Sequence, residues 1–184
     1  MDLRVEKTKR GIVNAFLELR ARQPLEKITV KELCGRAMIH KSTFYSHYDD
    51  IYALSESLER EVVASILDGI ARPEAVFEDP AAFTRELLLG YLAQENLLAT
   101  LFSGDASGRL ARRLEESIKA LAFAACPQYR DDPARNTALS YCIYGGYHAF
   151  VENRRYGTET VAPLIAQLSR AGMELGRPPA EPAP

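Results

Sequence analysis

Residues 36–48 read RAMIHKSTFYSHY, a run that brings together two histidines, a lysine, Ser42 and Thr43, and three aromatic residues. Phe44 and Tyr48 stand four apart, the spacing of one helix face, and suit inward packing on Ile28, Leu33 and Phe16. The opposite face then shows Lys41, Ser42, Thr43, Tyr45 and His47, donors of several lengths with no acid among them. Phosphate oxygens and base edges accept from such donors, and a carboxylate in their midst would be repelled. An ordinary solvated helix face has a similar composition. The elements around the run must decide between the two.

Those elements read as helices. Val5, Ile12, Ala15, Phe16 and Leu19 recur at helical spacing over about 3–22, and Pro24 ends the pattern. Thr29 followed by Glu32 forms a capping box, in which the hydroxyl accepts from the third amide and the carboxylate reaches back to the cap. A short second helix follows, burying Val30, Leu33, Cys34 and Ala37. Met38-Ile39 interrupts it before a third short helix over about 40–46. Asp49 is the expected N-cap of a long fourth helix. Ile51, Leu54, Leu58, Val62, Ile66 and Ile70 lie along one side of it, and Arg72-Pro73 ends it. Helix, tight turn and helix after a supporting first helix is the arrangement that places a helix in a DNA major groove.

Beyond these, periodicity predicts helices over about 80–102, up to about 125, over about 134–154 and over about 159–175. Ser103-Gly104-Asp105 and Gly108 bracket a loop before the second of these. The closing stretch GRPPAEPAP is too proline-rich to pack and is expected to be disordered. No strand alternation or internal repeat is visible. The fold class is therefore all-α, with residues 1–48 as a three-helix head, 49–176 as a helical body joined through the long fourth helix, and 177–184 as a tail.

Charge divides along the same line. Residues 1–48 carry ten Lys/Arg against five Asp/Glu, a net +5, whereas the remainder carries thirteen against twenty, a net −7. A basic head on an acidic body suits a module that binds a polyanion. No apolar run approaches the roughly 18 residues of a membrane span. The start MDLRVEKTKR lacks the apolar core of a secretion signal, so a cytoplasmic protein is expected. Cys34, Cys126 and Cys142 are odd in number and far apart, which argues against a disulfide framework or a zinc site. An enzyme is not expected: no nucleophile sits beside a recognisable base, no glycine-rich phosphate loop occurs, and the three histidines form no triad. No cofactor is implied.

The run ITVKELCGRAMIHKSTFYSHYDDIYAL resembles the DNA-binding signature of the TetR/AcrR family of bacterial transcription regulators. The likeness is carried by Ile28-Thr29-Val30, Leu33, Ala37, Ile39, Ser42-Thr43-Phe44-Tyr45 and His47-Tyr48, and with the first helix it covers about 4–54. The resemblance implies a helix-turn-helix head, a connecting fourth helix, and a body that dimerises and usually binds a small molecule. It implies that Lys41, Ser42 and Thr43 meet base edges and nearby phosphates, that Tyr45 and His47 donate to the DNA backbone, and that Thr29 caps a helix whose N-terminus meets a phosphate. Phe44 and Tyr48 match core positions. This chain differs from the family at two places. Met38 stands where the turn commonly has Gly, Asp or Asn in a left-handed conformation, and Asp49-Asp50 stand where many members carry a phosphate-binding lysine.

In the body, Tyr141, Tyr144 and His148 share a helical face, and together with Tyr91 and Phe102 they are the candidate ligand-binding residues. His148 and Glu152 are also four apart, but two ligands without a third make no metal site. The last two helices match the family's homodimer interface. Ala138, Ile143, Gly145, Gly146 and Ala149 allow close approach, and Leu164, Ile165 and Leu168 supply an apolar face. The function expected is a dimeric repressor on a palindromic double-stranded DNA operator, released by a small-molecule effector. The alternative is an activator or architectural regulator whose body binds a protein partner.

Overall fold

A computed structural model describes residues 3–103 and 107–176. The expectations of a loop at Gly104-Asp105 and of a disordered tail over 177–184 lie outside the described residues. Among those residues the chain is all-α, with ten α-helices, three 3-10 turns and no strand. It divides into two compact units. One is formed by residues up to Val62 together with Glu95–Ser107, the other by Val63–Gln94 and the residues from Gly108 onward. The division between units falls at 62/63, inside the long helix.

The first unit begins with α1 (Leu3–Arg20), followed by a 3-10 turn (Leu25–Lys27), α2 (Val30–Ala37) and α3 (Lys41–Tyr45). The long α4 (Ile51–Leu67) runs across the division, and α7 (Glu95–Leu101) returns to this unit. Helix α1 packs on α2 and on α7, and α2 packs on α3. The periodic positions Ile12, Ala15, Phe16 and Leu19 of α1 are buried, as are Leu33 and Cys34 of α2. Val5, counted in the same stripe from the sequence, is exposed, because the stripe is buried only from Ile12 onward.

Arg20 is the unexpected member of this interior. It lies at the C-terminal end of α1, is buried, and donates from Nη1 to the carbonyl of Gln23 at 3.3 Å and from Nη2 to that of Ser103 at 3.2 Å. A guanidinium among helix C-terminal carbonyls meets both the unsatisfied acceptors and the negative end of the helix dipole. The same bonds tie the end of α1 to the chain just beyond α7.

The second unit contains α5 (Ala75–Glu78), α6 (Pro80–Ala93), α8 (Ser107–Ala125), α9 (Pro133–Asn153) and α10 (Thr158–Leu175), with 3-10 turns at Pro127–Tyr129 and Arg154–Tyr156. Helix α10 packs on both α9 and α6, and α5 packs on α6. Leu88, Phe150, Val161 and Ile165 form a buried cluster against which Tyr91, Leu92, Ala149 and Ala162 lie. Two helices start with an aspartate N-cap followed by proline at the first helical position. Asp79 accepts from the Ala82 amide at 3.1 Å, and Asp132 accepts from Ala134 and Arg135. That combination satisfies orphan amides and fixes φ where the helix begins.

Three helix boundaries differ from the sequence reading. Asp50, not Asp49, caps α4, accepting from the Ala53 amide at 2.7 Å. α4 stops at Leu67, before Arg72-Pro73, although Ile70 beyond its end is still buried. The helix expected over 80–102 is two helices, broken at Gln94, and the short α5 precedes them.

Candidate nucleic-acid face and candidate ligand cavity

The turn between α2 and α3 is built on Met38, which adopts φ 54° and ψ 46°, the left-handed region. The amides of Met38 and Ile39 both donate to the Cys34 carbonyl, the Ile39 bond at 3.0 Å, so the last turn of α2 closes on the residue that reverses the chain. This is the conformation the sequence comparison anticipated for a glycine-like position, occupied here by a side chain that is 91% exposed. Helix α3 starts three residues later.

At the head of α2, Thr29 Oγ1 accepts from the Glu32 amide at 3.2 Å, which is one half of the expected capping box. The Glu32 carboxylate accepts from Gln23 Nε2 at 3.1 Å instead of turning back to Thr29. On α3, Phe44 is wholly buried, as are Ile28, Leu33 and Phe16. Its ring meets Tyr45 edge-on at 5.5 Å and Tyr48 at 6.0 Å. Tyr48 is half-buried, and burial pushes its phenol above the ordinary tyrosine value, with Lys9 acting in the opposite direction.

The outward side matches the donor set read from the sequence. Lys41, Ser42 and Tyr45 are exposed and Thr43 is half-exposed, with Thr29 exposed at the start of α2. His47 is half-exposed and lies past the end of α3, its amide donating to the Phe44 carbonyl at 2.9 Å. No acidic residue occurs from Leu33 to Tyr48. The arrangement is a short helix anchored by one buried phenylalanine and presenting an ammonium, hydroxyls and a phenol to solvent.

The second unit contains a partly open cavity of about 60 Å³, lined by residues of α6, α8, α9 and α10 with Ile66 and Val76. Of the five candidate ligand residues, only Tyr91 lines it. Phe102 is buried within the first unit. Tyr141 is 75% exposed, on a groove between α9 and α10, and His148 is also exposed. Tyr144 turns towards α8, where Glu115 and Arg112 influence its phenol. The aromatic residues that join Tyr91 at the cavity are Phe83, Tyr147 and Phe150. Tyr91 meets Tyr147 edge-on at 6.4 Å and Phe150 at 5.7 Å.

Beside this cavity α8 and α9 share a polar cluster. Ser140 Oγ donates to Glu115 at 2.5 Å and accepts from Lys119 Nζ at 2.7 Å, while Lys119 also pairs with Glu115 at 2.9 Å. The Ser140 hydroxyl holds the Glu115 carboxyl below its ordinary value, helped by Lys119.

On α9 and α10, Tyr141, Leu168 and Leu175 are exposed around a groove of about 390 Å³ that includes Gly145, Gly146 and Gly172, and Leu164 of α10 is also exposed. Ala138, Ile143 and Ile165, counted in the expected interface, are instead buried within the chain. The three cysteines are free, and no group of three or more metal-ligating side chains occurs among the described residues. Among those residues no helix is long and apolar enough to cross a membrane. Comparison with known proteins gave no match to any family model, curated protein or solved structure.

Proposed function

We propose that the chain is a DNA-binding transcription regulator, a homodimer that represses from a pseudo-palindromic operator and is released by a small effector. The observation that carries this reading is the pair of short helices α2 and α3 joined at left-handed Met38, with Phe44 inward and Lys41, Ser42, Thr43 and Tyr45 outward on an acid-free segment. In this reading α3 enters the major groove. Lys41, Ser42 and Thr43 meet base edges and adjoining phosphates, and Tyr45 and His47 donate to the backbone. Thr29 holds the start of α2 near a phosphate.

Two heads reading successive major grooves require a dimer, and the face of α9 and α10 supports one. Its exposed Leu168 and Leu175 line a groove with Gly145, where nothing stands within 4 Å of an added Cβ, and Leu164 of α10 is also exposed. An effector acts only through a difference in its affinity for the DNA-competent and DNA-incompetent states.

Thr43→Ala and Tyr45→Phe test the face. Each removes one hydroxyl from a position that is not buried, so each should weaken binding to a selected operator duplex about tenfold, the worth of a contact of about 1–2 kcal/mol. Thermal unfolding should be nearly unchanged. Operator binding unaffected by both substitutions contradicts the assignment of this face.

A further inference from the structure

We infer that the cavity of the second unit takes an uncharged, mostly apolar molecule, its walls moving to admit one ring; that this molecule is the effector rests on the regulator reading above. The walls are supplied mainly by Phe83, Leu88, Leu139, Ile143, Phe150 and Ile165, and no Lys, Arg, His, Asp or Glu lines the space. The polar side chains among its lining residues are those of Thr84, Ser169, Tyr91, Tyr147 and Cys142. An ionised ligand would leave water for a site with no opposite charge to receive it, whereas a neutral one loses little and gains apolar contact. The protein's own groups report the same environment. Burial pushes both the Tyr147 phenol and the Cys142 thiol upward, towards their neutral forms.

Size and shape narrow the class further. A volume of about 60 Å³ is well below the roughly 150 Å³ of a cavity that takes up benzene, so a ring is admitted only with movement of the walls. The edge-on arrangement of Tyr91 against Tyr147 and Phe150 offers ring faces and edges to a further ring. A hydroxyl or carbonyl on the ligand would find partners in the wall, since Thr84 and Ser169 lie on α6 and α10 and both hydroxyls can donate or accept. Tyr91, Tyr147, Thr84 and Leu87 are half-buried while Phe83, Leu139 and Phe150 are buried, so the movement that admits a larger occupant falls to the half-buried side chains.

The test uses three probes with the same ring and different charge: toluene, benzoate and benzylammonium. Each is titrated into the purified full-length chain, with binding read by ligand-observed NMR and by the shift in thermal unfolding. Toluene should bind at least tenfold more tightly than either ion and raise Tm. Thr84→Leu, which fills the cavity, should abolish toluene binding with the helical signal intact. If that variant does not fold, the ranking of the three probes on the unmodified chain still decides. Equal or tighter binding by either ion, or no saturable binding of toluene up to its solubility, overturns the inference. Parallel titration of a selected DNA duplex separates the two levels. A chain that ranks the probes as expected but binds no DNA keeps the ligand class and removes the regulator reading.

Discussion

Met38 holds a left-handed backbone that bulky residues enter at a cost of about 1–2 kcal/mol, and its exposed side chain recovers little of that through packing. Met38→Gly should therefore stabilise the chain. Glycine's greater freedom in the unfolded state, about 0.5–1 kcal/mol, offsets part of the gain. The expected outcome is a net gain of about 0.5–1 kcal/mol in chemical denaturation, and a loss would show that the turn depends on the methionine. The place of the turn was legible in the interruption at Met38-Ile39, whereas its left-handed backbone was implied only by the resemblance of the flanking run to a family signature. The burial of Arg20 was not legible. Its partners are the Gln23 carbonyl and the Ser103 carbonyl, and the second lies 83 residues away, so local sequence shows only a charged residue at a helix end.

Among the helices, periodicity was enough where one face is buried and failed where two faces compete. On α9 the stripe of Tyr141, Tyr144 and His148 and the stripe of Ile143, Tyr147 and Phe150 have the same three-and-four spacing. Burial selects the second for the interior. Each residue turns the helix by about 100°, so neighbouring positions such as 143 and 144 face well apart. The break at Gln94 carries no Gly or Pro, and α5 has only four residues, too few to show a period.

Two predictions belong to helix packing. A Cβ added at Gly90 of α6 would stand 2.6 Å from the Ile66 carbonyl oxygen, a backbone atom of α4 that cannot rotate away. Alanine's better helix propensity favours Gly90→Ala by about 1 kcal/mol, and overpacking opposes it by about 1–3 kcal/mol. Unfolding measurements should show net destabilisation; stabilisation would mean that the α4–α6 crossing is looser than described. The second concerns Glu115 between α8 and α9. Its carboxyl is held low by Ser140, so its contribution is present at neutral pH and fades as pH falls below the ordinary glutamate value of about 4.3. Glu115→Gln should cost about 1 kcal/mol at pH 7, with the difference from the unmodified chain closing towards pH 3. A difference independent of pH would exclude the ionised carboxylate as its source.

For the molecule as a whole, the all-helical class was evident in the spacing of apolar residues. The return of Glu95–Ser107 to the N-terminal unit was not, because that association is made by packing on α1 and by Arg20 rather than by any local signal. The basic head and acidic body remain the broadest feature that a DNA-binding function would use. Charge steers the encounter, and phosphate contacts make the affinity depend on salt. The central claim is that the Lys41–Tyr45 face reads DNA as a symmetric pair. Selection of bound sequences from random duplexes by the purified chain tests it most directly. An inverted repeat with half-sites about one helical turn apart is expected, held less tightly as salt rises. Recovery of no sequence enriched over a scrambled control would contradict it.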